Sequence, residues 1–215
     1  MKQKIKNALI SVSDKTQLIS ILKTLKKYKI KIISSGGTYN TIKKLGYDCT
    51  EISKYTGFKE MLDGRVKTLH PKIHAGILHD RFNERHKGEM TKQKFPSIDL
   101  IIVNFYPFQK IVTETKNSKK IIENIDIGGP TMVRSAAKNF NNVTIITNKN
   151  DYLDLIREME KNNGGTSLKF RELMSSKAFG LTAYYDAMIA NWFNKKLKIE
   201  FPERKTIFGR KLQKL

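Results

Sequence analysis

Short apolar runs alternate with helical patterns along the chain, and their order predicts an α/β fold. The runs NALISV at Asn7–Val12 and DLIIV at residues 99–103 are continuously apolar, which is typical of strands buried on both faces. Shorter runs lie at Lys31–Ser34, at 49–52 and at 143–147. Because helical spacing separates them, we expect a mainly parallel central sheet flanked by helices.

The helices are predicted where apolar residues recur every three or four positions. These segments are residues 18–25, 38–45, 119–124, 130–139, 151–161 and 167–197, the last forming one long helix or two. Glycine, proline and histidine dominate residues 57–76, so we expect a loop there. Residues 198–215 lose helical periodicity. We therefore expect one domain over residues 1–197 and, over 198–215, a linker towards a domain that this chain lacks, with an ordinary frayed terminus as the alternative.

The charge is strongly positive but does not favour a nucleic-acid partner. The chain of 215 residues carries a net charge of +21, and arginine supplies only 8 of its 41 basic residues. Arginine is the preferred reader of phosphates and base edges, so a lysine-rich solvated surface is the favoured interpretation. Such a surface can still steer a small anionic substrate.

Other compositional features favour a cytoplasmic protein without membrane contact. The sequence has no apolar stretch long enough to span a membrane and no secretory signal, and Cys49 is its single cysteine. An intrachain disulfide is thus impossible.

Polar loops follow the first two predicted strands. Their residues are Ser13, Asp14 and Lys15 after the first strand, and Ser35, Gly36, Gly37 and Thr38 after the second. Ligands of parallel sheets bind at the carboxyl ends of strands, where helix N-termini offer free N–H groups. Glycine lets the backbone approach a phosphate, while hydroxyls and the lysine add donors and charge. These loops predict a phosphate site, with simple helix capping as the alternative.

A third segment, GRVKTLHP, places Arg65 and Lys67 two residues apart, so that an extended loop presents both on one face. Thr68 adds a hydroxyl. We predict that this segment and the two polar loops surround one anion-binding pocket, although an exposed basic loop would show the same spacing. The histidines nearby lack a partner cysteine cluster or an HExxH pattern, so no metal is expected.

Further polar groups follow the later strands. Asn104 and Tyr106 come after the run DLIIV, Asp126 precedes a glycine pair, and Lys138 lies near the end of the following helix. Each suits an active site. Each also suits ordinary structure, with Asp126 as a helix cap and Lys138 as a partner of the helix dipole.

Taken together, these motifs resemble a known family. SVSDK, SGGT, GRVKTLHPKIHAGIL, NFYPF and IDIGGPTMVRSAAKN occur in the order and approximate spacing of the inosine monophosphate (IMP) cyclohydrolase domain of bifunctional purine biosynthesis enzymes, and the resemblance covers residues 7–195. It implies a three-layer, methylglyoxal-synthase-like fold and a homodimer. It also implies closure of the ring of 5-formamidoimidazole-4-carboxamide ribonucleotide to IMP and water, without cofactor or metal. The companion transformylase domain, which uses 10-formyltetrahydrofolate, would be absent from this chain.

The resemblance also implies roles for individual residues. The expected nucleotide contacts are Ser13, Asp14, Lys15, Ser35, Gly36, Gly37, Thr38, Arg65, Val66, Lys67, Thr68, Asn104, Phe105, Asp126, Ile127 and Gly128. Lys138 is the expected proton-transfer residue, and Lys67, Tyr106 and Asp126 are supporting candidates. The sequence leaves open which group acts as base and which as acid.

Three other functions share some of these features. Methylglyoxal synthase has the same fold and SGGT, but should lack KTLHP and IDIGG. A non-catalytic allosteric module, like the one that ends large carbamoyl phosphate synthetases, would keep the phosphate loops without needing Lys138, Tyr106 and Asp126 together. A basic nucleic-acid-binding domain would need its lysines clustered on one face.

Overall fold

A parallel sheet forms the centre of the fold. The computed structural model describes residues 2–209, and in this part of the chain the sheet has the order β4-β3-β2-β5-β6. Its strands are β2 (Asn7–Val12), β3 (Lys31–Ser34), β4 (Thr50–Glu51), β5 (Leu100–Asn104) and β6 (Thr144–Ile146). All neighbouring pairs are parallel. The predicted α/β architecture is confirmed, because the apolar runs of β2 and β5 are buried at its centre.

Helices cover both faces of this sheet. They are α1 (Leu18–Lys27), α2 (Gly36–Lys44), α3 (Ile52–Thr56), α4 (Pro71–Leu78), α5 (Glu84–Lys92), α6 (Phe108–Glu114), α7 (Ser118–Glu123), α8 (Gly128–Lys138), α9 (Tyr152–Lys161) and α10 (Leu168–Lys196). The segment at residues 167–197, for which one or two helices were expected, is thus one helix of 29 residues. In the described part of the chain, no helix is both long and apolar enough to cross a membrane.

A second, antiparallel pair of strands was not predicted from the sequence. It joins β1 (Lys2–Lys4) to β7 (Gly165–Ser167). A Cβ atom on Gly165 would lie 2.6 Å from the carbonyl oxygen of Gln3, so the close approach of the two strands requires glycine. Neither strand is apolar, which is why the hydrophobic pattern gave no signal for them.

The loop expected at residues 57–76 is only partly a loop. Helix α4 begins inside it, at Pro71, with His70 as the N-cap residue whose ring nitrogen accepts from the Lys72 N–H at 3.1 Å. Proline is compatible with the first turn of a helix, because an N–H group there has no partner within the helix. Pro71, a residue type that usually interrupts helices, therefore marks the start of α4.

The segment after α10 folds back along that helix. The Asn191 amide donates to the Thr206 carbonyl at 3.0 Å, and the rings of Phe208 and Tyr184 are 5.2 Å apart. The expected linker at residues 198–215 stays a prediction, and its residues 210–215 lie outside the described part.

Strand order determines where a ligand can enter. From β2 the chain moves to β3 and β4 on one side, and β5 and β6 then fill the other side. The carboxyl ends of β2 and β5 therefore flank a crevice at the point where the winding direction changes, which is the usual ligand position in open α/β sheets.

Candidate functional site

A cavity of about 890 Å³ opens at this crevice and gathers most of the predicted site residues. The predicted residues that line it are Ser13, Lys15, Ser35, Gly36, Gly37, Thr38, Arg65, Lys67, Thr68, Asn104, Tyr106, Asp126, Ile127 and Gly128. The two polar loops and the GRVKT segment thus surround one pocket, as the sequence predicts. Asp14, Val66, Phe105 and Lys138 do not line it.

Two lysine amines converge on the glycine turn that opens α2. A Cβ atom on Gly36 would lie 3.5 Å from the Lys67 Nζ, and one on Gly37 would lie 3.7 Å from the Lys15 Nζ. Gly36 has a φ of +51°, a left-handed conformation that glycine adopts without steric cost. Two ammonium groups beside a helix N-terminus are a suitable environment for a phosphate.

Some predicted phosphate donors serve the scaffold. The Thr38 hydroxyl accepts from the Val12 N–H at 3.1 Å and donates to the Val12 carbonyl at 2.9 Å, which ties α2 to β2. The Ser13 hydroxyl is within 2.8 Å of both the Asn104 Oδ1 and the Phe105 carbonyl. Ser35, although buried, makes no side-chain cap bond to α2. The sequence cannot separate these roles, because cap, scaffold and ligand positions all favour hydroxyl residues.

Asn104 joins the ends of β5 and β2. Its Oδ1 accepts from the backbone N–H of Ser13 at 2.6 Å and of Asp14 at 3.1 Å. The Asp14 side chain faces away from the main cavity and pairs with the Lys149 Nζ at 2.8 Å. This ion pair, with hydrogen bonds from Thr16, holds the pKa of Asp14 well below its usual range.

The GRVKT segment faces carboxylates across the cavity mouth. Arg65 forms a two-bond pair with Glu123 at the end of α7, and the Lys67 Nζ lies 4.0 Å from a carboxylate oxygen of Glu60. Val66 faces the other way, into a smaller hollow of about 340 Å³. Glu123 was not expected at the site, since a charged residue at the end of a weakly patterned helix gives no functional signal.

Asp126 is held at the start of α8. Its Oδ1 accepts from the Gly129 N–H at 2.9 Å, and a Cβ atom on Gly129 would lie 2.3 Å from its Oδ2. Burial raises the pKa of Asp126, while the Gly129 N–H and the positive charge of Lys67 act to lower it. A half-buried carboxyl group with a raised pKa, close to a lysine, is suited to proton transfer.

Thr68 connects this helix to the basic segment. A Cβ atom on Gly128 would lie 2.2 Å from the Thr68 Oγ1, so glycine at this position allows the Thr68 side chain to approach the start of α8 this closely. The buried Thr68 and Gly128 therefore form a packing contact between the two halves of the cavity wall.

Lys138 lies at the other end of α8. It is exposed and faces two hollows beside Leu78 and Asn139, away from the main cavity. Ten residues separate it from Gly128, which corresponds to about 15 Å along a helix. An extended lysine side chain does not cover this distance. Within one chain, the structure does not bring Lys138 to Lys67, Tyr106 and Asp126.

The four histidines hold local structure. His70 caps α4, His74 lies 3.2 Å from the Ser135 hydroxyl, the His79 Nδ1 is 2.9 Å from the Ala75 carbonyl, and His86 accepts from the Asp80 N–H at 3.1 Å. Across residues 2–209, no three side chains of His, Cys, Asp or Glu stand close enough to share a metal ion.

The fold is that of MGS-like α/β domains. The model of the MGS-like domain family matches residues 17–131, and the model of the AICARFT/IMPCHase bienzyme matches residues 136–215. The first match covers more than half of the chain, and the chain therefore belongs to the MGS-like domain family. A solved structure, "Crystal structure of ForH", superposes with a TM-score of 0.79 at 30% identity, over 88% of this chain and 97% of that one.

Curated relatives connect the chain to a particular enzyme. Proteins named "Bifunctional purine biosynthesis protein PurH" are similar over nearly all of it: 44% identity in Bradyrhizobium diazoefficiens over 99% of the chain, and 47% in Oceanobacillus iheyensis over 98%. The chain spans about two fifths of their length, 40% and 41% respectively. The family resemblance drawn from the sequence motifs is confirmed.

Proposed function

We propose that this chain closes the purine ring, converting 5-formamidoimidazole-4-carboxamide ribonucleotide to IMP and water. The observation that carries the proposal is the composition of the cavity. Lys15, Lys67 and the N-terminus of α2 form a phosphate-binding end, and Asp126 at the N-terminus of α8 supplies a carboxyl group suited to proton transfer. The names of the relatives support a role in purine biosynthesis.

In this proposal the substrate carries both reacting groups. The carboxamide nitrogen attacks the formyl carbon, a C–N bond forms, and the resulting carbinolamine loses its oxygen as water. Proximity is built into the molecule, so the site has to fold the two groups together and move protons. Asp126 accepts the proton that leaves the carboxamide nitrogen, and this proton passes to the former formyl oxygen. The formamide nitrogen then gives up its own proton, which completes the water that leaves. Lys67 and the first N–H groups of α8, at Ile127 and Gly128, stabilise the charge that develops on oxygen.

The step uses no cofactor and no metal in this proposal. Lys67, Tyr106 and Asp126 all line the cavity, and each can donate or accept a proton. 10-Formyltetrahydrofolate belongs to the companion formyl transfer expected of the longer relatives. The partner of this chain is thus a small ribonucleotide.

Because Lys138 lies outside the main cavity, we extend the proposal to a second copy of the chain. Lys138 lies among partly exposed apolar side chains, with Leu78 at 40% and Phe179 at 39% exposure. We propose that a homodimer covers this face and brings Lys138 of one copy to the cavity of the other. The Lys138→Ala variant then loses cyclisation by on the order of 10²-fold, with a smaller change in nucleotide affinity.

Mixing two inactive variants tests the shared site. If Lys138 acts across a dimer, co-refolding of Lys138→Ala with Asp126→Asn restores activity, because one of the two cavities in a mixed dimer holds both native residues. Either variant refolded alone stays inactive. If both variants are inactive and mixing restores nothing, the shared site is refuted. Normal turnover by Lys138→Ala alone would remove Lys138 from the mechanism and leave Lys67 or Tyr106 in its place.

The main experiment incubates the purified chain with the formylated ribonucleotide and follows purine absorbance, without folate and after treatment with a chelator. We expect turnover, which Lys67→Met abolishes. Lys110→Met is the matched control, since Lys110 pairs with Glu114 on α6 outside the cavity. Conversion of dihydroxyacetone phosphate instead would identify a methylglyoxal synthase. Tight nucleotide binding without turnover would identify an allosteric module.

A further inference from the structure

Tyr185 is a buried side chain of α10 whose hydroxyl group reaches the cavity wall. Only 2% of the residue is exposed. Its ring packs against Phe105, with ring centres 4.9 Å apart, and against Phe108 at 6.1 Å. These contacts fix the ring in the aromatic layer directly behind the carboxyl end of β5. The position of its hydroxyl oxygen is therefore determined by the core.

That oxygen binds the backbone of the candidate catalytic residue. The Asp126 N–H donates to the Tyr185 Oη at 2.8 Å, and on its other side the Asp126 carboxylate accepts from Gly129 at 2.9 Å. Asp126 is thus fixed at two points, its main chain to α10 and its side chain to α8. Fifty-nine positions separate Tyr185 from Asp126 along the chain, so no local motif connects them.

We propose that Tyr185 is a positioning residue for ring closure: its hydroxyl holds the Asp126 turn so that the carboxyl group faces the substrate. This inference rests on the proposed function, because it assigns Asp126 a role in the reaction. Tyr185 does not itself line the cavity, and its hydroxyl acts on the site through the Asp126 backbone. Its effect on catalysis is therefore indirect.

Loss of the hydroxyl has a defined consequence. In a Tyr185→Phe variant the ring still fills the aromatic layer, but the Asp126 N–H loses its acceptor, and Asp126 itself keeps only the bond from Gly129 to its side chain. The turn then relaxes towards the open cavity, the carboxyl group gains water, and the pKa of Asp126 falls towards its ordinary value. Lys67, the charged group that acts to lower the pKa of Asp126, is unchanged in the variant.

The chain provides a matched control on the same helix. Tyr184 is the preceding residue, and its hydroxyl lies 3.5 Å from the Gln109 side chain, outside the cavity. We expect Tyr185→Phe to lower kcat about tenfold with little change in KM, as for the loss of one buried hydrogen bond. Tyr184→Phe should keep the wild-type kcat. Rates are normalised to the concentration of folded sites, titrated with IMP.

A second measurement separates positioning from simple loss of stability. Carbon-13 NMR titration of the Asp126 carboxyl group should give a lower pKa in Tyr185→Phe than in the wild type and in Tyr184→Phe. A lower melting temperature with unchanged kcat and unchanged Asp126 pKa would overturn the proposal and leave Tyr185 as a packing residue. If the wild type does not close the ring but the Asp126 pKa still shifts, the proposed function fails while the coupling of Tyr185 to Asp126 stands.

Discussion

The contact between Gly129 and Asp126 predicts that a single methyl group will disable the site. In Gly129→Ala, the new Cβ would start 2.3 Å from the Asp126 Oδ2, whereas real Cβ contacts are at least 3.0 Å. The other side of the carboxylate is the Gly129 N–H itself, so the side chain must rotate away and lose that bond. A hydrogen bond to a charged acceptor contributes about 1.5–3 kcal/mol.

This loss is opposed by a gain in helix stability. Alanine in a helix is more stable than glycine by about 0.5–1 kcal/mol. Gly180, in the middle of α10, is exposed, and a Cβ atom added there would have no other atom within 4 Å, so Gly180→Ala should show the gain alone. Gly129→Ala should be less stable than Gly180→Ala by about 1.5–3 kcal/mol, because both variants gain the helix term and only Gly129→Ala loses the hydrogen bond.

Urea unfolding of both variants measures the stability difference, and the ring-closure assay measures the functional one. A displacement of about 1 Å at a reacting group costs on the order of 10²-fold in rate, so we expect a loss of that size in kcat for Gly129→Ala and none for Gly180→Ala. If both alanine variants are equally stabilised and equally active, the Asp126 carboxylate does not occupy the position described, and Asp126 has no role in the mechanism.

Other substitutions have equally defined outcomes. Burial raises the pKa of Asp126 in the folded protein. At a pH above the pKa that Asp126 has in the unfolded chain, its ionisation therefore lowers the free energy of unfolding, and below that pH it has no effect. Asp126→Asn should therefore resist urea better at pH 7, an advantage that disappears below about pH 4, and a constant advantage would contradict this. Arg171, which is 1% exposed, donates to the carbonyls of Phe140, Asn141 and Thr166. Arg171→Met should lower stability by about 3 kcal/mol in thermal unfolding, and a change below about 1 kcal/mol would refute this.

The sequence predicts the cavity because its signals are local. A polar loop after each apolar run lies at the carboxyl end of a strand, and parallel strands bring those ends to one edge. Lys15, Gly36 and Lys67 meet there as expected. Helix α5 was missed because none of its residues is buried, so its pattern has no apolar face to detect.

Contacts between residues that are distant in the sequence could not be predicted. Thr38 has the residue type of a phosphate donor, but its hydroxyl is used by Val12 on a neighbouring strand. Tyr185 belongs to an aromatic-rich helix whose pattern indicates packing, and its contact with Asp126 depends on how α10 crosses the sheet. Lys138 is close in sequence to IDIGG, yet the length of α8 separates the two.

Arg65 and Lys67 line the cavity and are already paired with carboxylates, Arg65 with Glu123 inside the cavity and Lys67 with Glu60 beside it. In the proposed function, the phosphate of the substrate replaces these carboxylates as the partner of Arg65 and Lys67. Exposed ion pairs of this kind contribute no more than about 1 kcal/mol each. A dianion can therefore readily replace the carboxylates, whereas a weakly charged solute gains no binding energy by doing so. We therefore expect the mouth of the cavity to select ligands by charge, and the interior to select them by shape.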